Sequence, residues 1–318
     1  MKQFISIHDV DDPESLVKQV LAVKETPFAN KILGENKTIG LIFFNPSLRT
    51  RMSTQRAAQN LGMNVMVMNV DKDGWALEYE DGAVMNGTKA EHIKDAAAVM
   101  SQYCEIIGLR SFPELKSREA DYSEKVFNSF VANCSVPVIS LESATLHPLQ
   151  SLADLVTIRE FATKPKPKVV LAWAPHIRAL PQAVPNSFAQ WMSNADVDFT
   201  IAHPEGLELD EKYTGSATIT HNLDEALKDA DFIYVKNWSS YKEYGKISEG
   251  NEDWLLDEKR LANAGQGYIM HCLPVRRNVE LSDELLDSNR SLVIKQAQNR
   301  LYAAQTVIQN ILTQLSDS

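Results

Sequence analysis

Two successive series of short apolar runs, each run followed by a stretch with helical periodicity, constrain this chain more than any other feature. In the first series, strands are predicted over 38–44, 63–69, 105–109 and 136–141, and helices over 13–24, 50–61 and 89–103. A long helix is predicted over 147–161. The stretch Lys164-Pro165-Lys166-Pro167-Lys168 then reads as a solvated seam. In the second series, strands are predicted over 169–173, 197–202, 232–235, 268–272 and 292–294, and helices over 186–193, 223–228, 283–287 and 296–315. Such alternation argues for two parallel-sheet α/β domains with helices on both faces. Asp12-Pro13 supplies an N-cap with proline at the first helical position. In the last helix Leu301, Ala304, Ile308, Ile311 and Leu315 form one apolar stripe.

A length of 318 residues accommodates two ordinary domains, and 44% hydrophobic with 23% charged residues is the balance of a soluble globular protein. No apolar run approaches the ~18 residues of a membrane helix, and Met1 to His8 lacks a signal-peptide core. Three cysteines, Cys104, Cys134 and Cys272, form no CxxC pair, which fits a reducing, cytoplasmic setting. A net charge of -10 argues against nucleic acid as a general partner. An acidic chain that binds an anion has to concentrate positive charge locally.

Phe43-Phe44-Asn45-Pro46-Ser47-Leu48-Arg49-Thr50-Arg51 does this at a strand-to-helix turn. Helix-start amides, the positive end of the helix dipole and a guanidinium fork converge there on one spot. No glycine fingerprint is present, so a small phosphate suits the turn better than a dinucleotide. Functional groups in α/β sheets gather at the carboxyl edge of the strands. That edge offers Arg110, then Glu142 with His147 and Gln150, in the first sheet. In the second it offers His176 and Arg178, His203, Lys236 and Asn237, and His271-Cys272-Leu273-Pro274 followed by Arg276 and Arg277. The set is rich in cations and donors, and no HExxH or spaced Cys/His pattern suggests a metal. Residues 70–88 are irregular and long for a connection, as functional loops are. Gly265-Gln266-Gly267 lacks a third glycine and reads as a turn. Arg51 serves equally as a ligand contact or as a brace for carboxylates, and His203 reads as a loop residue.

The motifs Ser47-Leu48-Arg49-Thr50-Arg51, His147-Pro148-Leu149-Gln150 and His271-Cys272-Leu273-Pro274, in this order over nearly the whole chain, resemble those of the transcarbamylases. Leu48 departs from the Ser-Thr-Arg-Thr-Arg of the ordinary aspartate and ornithine enzymes, and Lys236-Asn237-Trp238 stands where their substrate loop would be. With Trp75 and the proline-rich segment 175–185, the chain looks like the branch acting on N-acylated ornithine. The resemblance implies transfer of a carbamoyl group from carbamoyl phosphate to the δ-amine of the acylornithine, in arginine biosynthesis and without a cofactor. Ser47, Leu48, Arg49, Thr50 and Arg110 would hold the phosphate, with Trp75 reaching it from a neighbouring subunit. Thr50, Arg110 and His147 would donate to the carbonyl oxygen, each donor being worth ~3 kcal/mol in the transition state. Gln150 and the carbonyls of Cys272 and Leu273 would accept from the carbamoyl NH2, and Arg300 would complete the clamp. The Cys272 sulfur would lie beside the attacking amine, with the leaving phosphate as proton acceptor.

Glu142, His176, Lys236 and Arg276 resemble the residues that hold the acylated amino acid, and Arg178 suits a second carboxylate such as that of a succinyl group. In the acetyl branch a glutamate stands at the position of Ala90; here alanine leaves room and no charge, which favours succinyl. The resemblance further implies a carbamoyl phosphate domain over 1–146, with the helix 296–318 packing back on it, and an acylornithine domain over 147–295. It implies a homotrimer with shared active sites and a knot in the C-terminal domain around Pro181 to Pro185. The alternatives are the same reaction on N-acetylornithine, or a non-catalytic phosphate-binding homologue, which would show gaps in the catalytic set.

Overall fold

The first apolar series builds a four-stranded parallel sheet in which the strands over 38–43, 106–110 and 138–142 are buried almost throughout and rich in Ile, Leu and Val, while the edge strand over 64–69 alternates and stays partly exposed. The computed structural model describes residues 1–262 and 267–317. Gly265 and Gln266 of the predicted turn, and Ser318 of the predicted last helix, lie outside the described residues. The chain forms two compact units, one of residues 1–113, 119–149 and 301 onward, the other of residues 114–118 and 150–300.

In the first part of the chain the elements are α1 (Pro13–Glu25), β1 (Thr38–Phe43), α2 (Arg49–Asn60), β2 (Asn64–Asn69), α3 (Val70–Asp73), β3 (Leu77–Glu78), β4 (Glu91–His92), α4 (Ile93–Met100), β5 (Ile106–Arg110), α5 (Arg118–Ser123), α6 (Lys125–Asn133), β6 (Val138–Glu142) and α7 (Pro148–Phe161). The sheet order is β2-β1-β5-β6, with Leu41 facing Val67 on one side and Gly108 on the other. Asp12 caps α1 by accepting the Glu14 and Ser15 amides, as the Asp-Pro pair predicts. Gly62 ends α2 at φ +83, and a Cβ there would sit 2.2 Å from the Lys31 carbonyl oxygen.

Two readings change in this unit. Residues 70–88 are not wholly irregular, since β3 and β4 pair in parallel, Leu77 with Glu91 and Glu78 with His92. The helix predicted from residue 89 therefore starts only at Ile93, where the His92 ring accepts the Lys94 amide as a cap at 3.2 Å. Between residues 110 and 136, α5 and α6 were not anticipated. The second of these buries Phe127 and Phe130 against Ile42, Ile93 and Ile107.

The remaining elements are β7 (Lys168–Trp173), α8 (Ala183–Met192), β8 (Asp198–Ala202), α9 (Glu211–Thr214), β9 (Thr218–Thr220), α10 (Leu223–Leu227), β10 (Phe232–Lys236), α11 (Glu258–Ala262), β11 (Tyr268–Met270), α12 (Asp283–Leu286) and α13 (Val293–Ser316). Their sheet is five-stranded and parallel, in the order β11-β10-β7-β8-β9. The fifth strand is β9, not the predicted 292–294. Ser291 makes a single parallel bridge to Ile269, and Val293 already opens α13. Because β9 is an edge strand with two exposed residues of three, it carries no apolar run to betray it.

The long helices pack differently. Helix α7 is buried all round, with Leu149, Leu152, Leu155 and Ile158 alongside buried Asp154 and Thr157. Helix α13 runs 293–316 and buries Ala304, Val307, Ile308, Ile311 and Leu312, while Leu315 at the end of the predicted stripe is exposed.

Candidate active site

In the first unit the turn after β1 is held from below by Arg110, the last residue of β5. Its Nη1 donates to the carbonyl oxygens of Asn45 and Pro46, both at 3.1 Å. Asn45 Oδ1 accepts the Phe112 amide at 2.8 Å. The chain then enters α2 at Arg49, and no side chain caps that helix. The first-turn amides and the positive end of the dipole therefore face the turn without an internal competitor. Thr50 is buried, Ser47 and Arg49 are half-buried, and Leu48 is exposed. A cleft of ≈ 480 Å³ opens beside them, lined among others by Ser47, Leu48, Arg51, Asn69 and Lys72. Arg51 donates to Asn69 Oδ1 and lies 5.0 Å from the Phe43 ring centre, so it is braced as well as cleft-lining.

Arg110 also donates from Nε and Nη2 to one oxygen of Glu142, at 3.1 and 2.8 Å, and both side chains are 9% exposed. The same oxygen lies 3.8 Å from His147 Nε2. One carboxylate at the end of β6 thus gathers two of the predicted oxyanion donors. Trp75 and Ala90 ride on the β3–β4 ribbon. The exposed Trp75 indole donates to Glu91 Oε2 at 2.8 Å, and the Ala90 amide donates to the Ala76 carbonyl at 3.1 Å.

The second unit holds the remaining predicted residues in two groups. Near the start of α7, Gln150 donates through Nε2 to Asp154 Oδ1 at 2.8 Å, and Gln296 donates to the same oxygen at 2.6 Å. Asp154 is fully buried, and burial pushes its carboxyl up to about 7, opposed by these hydrogen bonds and by the Arg300 charge. Tyr234 adjoins both Asp154 and Cys272; burial and those two acidic neighbours push its phenol well above the usual range.

The second group surrounds Glu280, which sequence reading missed. Its Oε1 accepts from His271 Nε2 at 3.3 Å and its Oε2 from the Arg276 amide at 2.8 Å. Burial would raise the Glu280 carboxyl, but the His271 hydrogen bond, the Lys236 charge and the Arg276 amide prevail and hold it at about 2. His271 Nδ1 accepts the Leu273 amide at 2.9 Å, and Leu273 adopts φ +59. This local bond is why β11 stops at Met270 rather than at the predicted 272. Arg276 Nε donates to His176 Nε2 at 3.2 Å, and His176 Nδ1 lies 2.9 Å from the Arg178 carbonyl and 3.0 Å from the Arg178 amide. Burial depresses the His176 pKa, opposed by the Arg178 hydrogen bond and the Glu280 charge and assisted by the Lys236 and Arg276 charges.

Other candidates turn out to be structural. Arg277 pairs with Asp283 and Asp287. Asn237 donates to the Ala174 carbonyl at 2.7 Å. His203 lies in the loop after β8, as the sequence reading has it, and is buried there, with its Nδ1 2.8 Å from the Pro204 carbonyl and its ring against His221. Asp154 could have been found from its i,i+4 spacing to Gln150. Glu280 could have been suspected as the first acid after Arg276-Arg277; Gln296 carried no signal. Among the described residues no cluster of three or more His, Cys, Asp and Glu could hold a metal, and no helix is long and apolar enough to cross a membrane.

Known proteins resemble this chain over its whole length. It is 47% identical to the N-succinylornithine carbamoyltransferase of Bacteroides fragilis (strain 638R), covering 99% of this chain and 100% of that one. It is 33% identical to the N-acetylornithine carbamoyltransferase of Xanthomonas campestris pv. campestris, covering 99% and 98%. Among solved structures, a glutamate-to-alanine variant of N-acetyl-L-ornithine transcarbamylase, complexed with carbamyl phosphate and N-succinyl-L-norvaline, superposes with a TM-score of 0.90 at 32% identity, covering 98% of this chain and 100% of that one. The family model for the aspartate/ornithine carbamoyltransferase carbamoyl-P binding domain matches residues 2–160, and that for the Asp/Orn binding domain matches residues 181–311. With both halves of the chain matched in order, the protein belongs to the aspartate/ornithine carbamoyltransferase family.

Proposed function

We propose that this chain transfers the carbamoyl group of carbamoyl phosphate to the δ-amine of N-succinylornithine, giving N-succinylcitrulline and phosphate in arginine biosynthesis. The observation that carries the reading is the full-length 47% identity to a protein of that name, against 33% to the acetylornithine enzyme. The neutral amine forms a C–N bond to the carbamoyl carbon, the C–O bond to phosphate breaks, and the phosphate takes the amine proton. Ser47, Leu48, Arg49, Thr50, Arg110 and Trp75 bind the phosphate, and Thr50, Arg110 and His147 stabilise the oxyanion. Gln150, the Cys272 and Leu273 carbonyls and Arg300 hold the carbamoyl NH2 side. Glu142, His176, Lys236 and Arg276 hold the amino acid, with Arg178 and the uncharged Ala90 admitting the succinyl carboxylate.

In this reading residues 1–146 with the last helix form the carbamoyl phosphate domain and 147–295 the acylornithine domain. A homotrimer with shared sites is supported by the exposed apolar side chains Leu48, Met52, Met66, Trp75 and Val84 in the first unit. Free cysteines support a cytoplasmic setting. In this reading the chain is knotted around residues 181–185, a segment held against Ser239 by hydrogen bonds from the Ser239 amide to the Leu180 carbonyl and from Gln182 to the Ser239 carbonyl.

The test is carbamoyl transfer to ornithine, N-acetylornithine and N-succinylornithine side by side, with wild type and Ala90→Glu. Wild type is expected to prefer the succinyl substrate by at least about tenfold. The glutamate should erase that preference, because a like charge near the succinyl carboxylate repels it. An acetyl preference in the wild type refutes the substrate assignment.

A further inference from the structure

The proposed carbamoyl NH2 binding set has three acceptors: the Gln150 side-chain oxygen and the carbonyls of Cys272 and Leu273. Nothing in their own chemistry fixes how they point. A glutamine amide can turn over and offer NH2 where oxygen is needed. The 271–273 segment is a strand end with Leu273 in the left-handed region, and it needs an anchor.

Both are tied to one buried atom. Asp154 Oδ1 accepts Gln150 Nε2 at 2.8 Å and Gln296 Nε2 at 2.6 Å. Oδ1 serves as the acceptor of both amides, so it draws the NH2 of Gln150 inward and leaves Oε1 pointing away from it. Gln296 in turn has its own oxygen on the His271 amide at 2.9 Å. His271 then holds the Leu273 amide on Nδ1 at 2.9 Å. Asp154, Gln296 and His271 are each fully buried, so the chain of bonds has no water to compete with it. Arg300 and Tyr234 are the charged and titratable neighbours that bear on the Asp154 carboxyl.

We propose that Asp154 is a positioning residue for the carbamoyl NH2. Through Gln150 it sets a side-chain acceptor, and through Gln296 and His271 it sets the Cys272–Leu273 backbone acceptors. It touches no substrate itself. The inference rests on the proposed reaction, and it makes Asp154 responsible for telling an NH2 donor from a group of the same shape that cannot donate.

Acetyl phosphate is that probe, since it carries CH3 in place of NH2 and keeps the carbonyl and phosphate. Wild type and Asp154→Ala are compared for KM of carbamoyl phosphate and for competitive inhibition by acetyl phosphate and by inorganic phosphate. The expected result is weakening of carbamoyl phosphate by on the order of tenfold to a hundredfold, the effect of losing oriented buried acceptors. Acetyl phosphate and phosphate inhibition should stay within about twofold. Equal weakening of all three, or an unchanged KM for carbamoyl phosphate, overturns the inference. Should Asp154→Ala not fold, Gln296→Met cuts only the branch to His271; the same selective loss is expected, and unchanged selectivity overturns the proposal. A wild type without carbamoyl transfer overturns the reaction and this inference together, whereas an active wild type with an unselective Asp154→Ala overturns this inference alone.

Discussion

Replacing Glu142 by Gln probes the centre of the first unit's site. Arg110 is 7% exposed and makes four hydrogen bonds: two to one Glu142 oxygen, at 3.1 and 2.8 Å, and one each to the Asn45 and Pro46 carbonyls. The glutamine keeps the shape and one acceptor oxygen but removes the only carboxylate paired with this guanidinium among the described salt bridges. Breaking a buried pair from one side leaves a buried charge uncompensated, which costs about 3–5 kcal/mol. The surviving acceptors place this case near the lower end, about 3 kcal/mol. Urea unfolding of wild type and Glu142→Gln, with and without saturating phosphate, measures it. If Arg110 is a phosphate ligand, bound phosphate supplies the missing negative charge and the deficit shrinks. Linkage at a hundredfold excess over Kd adds about 2.7 kcal/mol to whichever form binds. A variant as stable as wild type without phosphate refutes the energetic argument. A deficit of about 3 kcal/mol that phosphate leaves untouched refutes the role of Arg110 as an anion ligand.

Glu280 predicts an acid response. Its ordinary pKa is 4.5 and it is held at about 2 in the fold, so the native state keeps the carboxylate ionised where the unfolded chain protonates it. Its contribution is fully present above pH 4.5 and is lost as pH falls through about 2, roughly 3 kcal/mol in all. Glu280→Gln should lack that pH-dependent loss; unfolding curves of the two proteins that stay parallel from pH 5 to pH 2.5 would show that the group is not tuned. Trp75→Ala should lower turnover on the order of a hundredfold, as removal of a phosphate donor does, while mass measurement reports the same assembly as for wild type. A fully active Trp75→Ala variant would remove Trp75 from the site.

Two signals located strands correctly: continuous apolar runs for β1, β5 and β7, which are buried, and alternation for β2, which is partly exposed at the sheet edge. The elements that did not read are short or pair across distance. β9 is exposed, and β3 and β4 are two residues each, too short to carry a periodic signal. The 292–294 run looked like a strand because Leu, Val and Ile suit one, yet its place at the mouth of a long helix decided otherwise.

The site divides in the same way. The amino-acid sequence by itself determined two parallel-sheet units, a strand-to-helix turn at Ser47 to Arg51 with the chemistry to receive an anion, and the cationic strand ends, because local hydrophobic period and residue chemistry are properties of neighbours along the chain. Only the tertiary structure decided which group faces which: that Arg110 lies on Glu142, that His271 is a buried partner of Glu280, and that Gln150 and Gln296 share one oxygen of Asp154. Those pairings join residues up to 142 positions apart. Burial is what gives them strength, since a polar group removed from water must find its partner wherever the fold brings one.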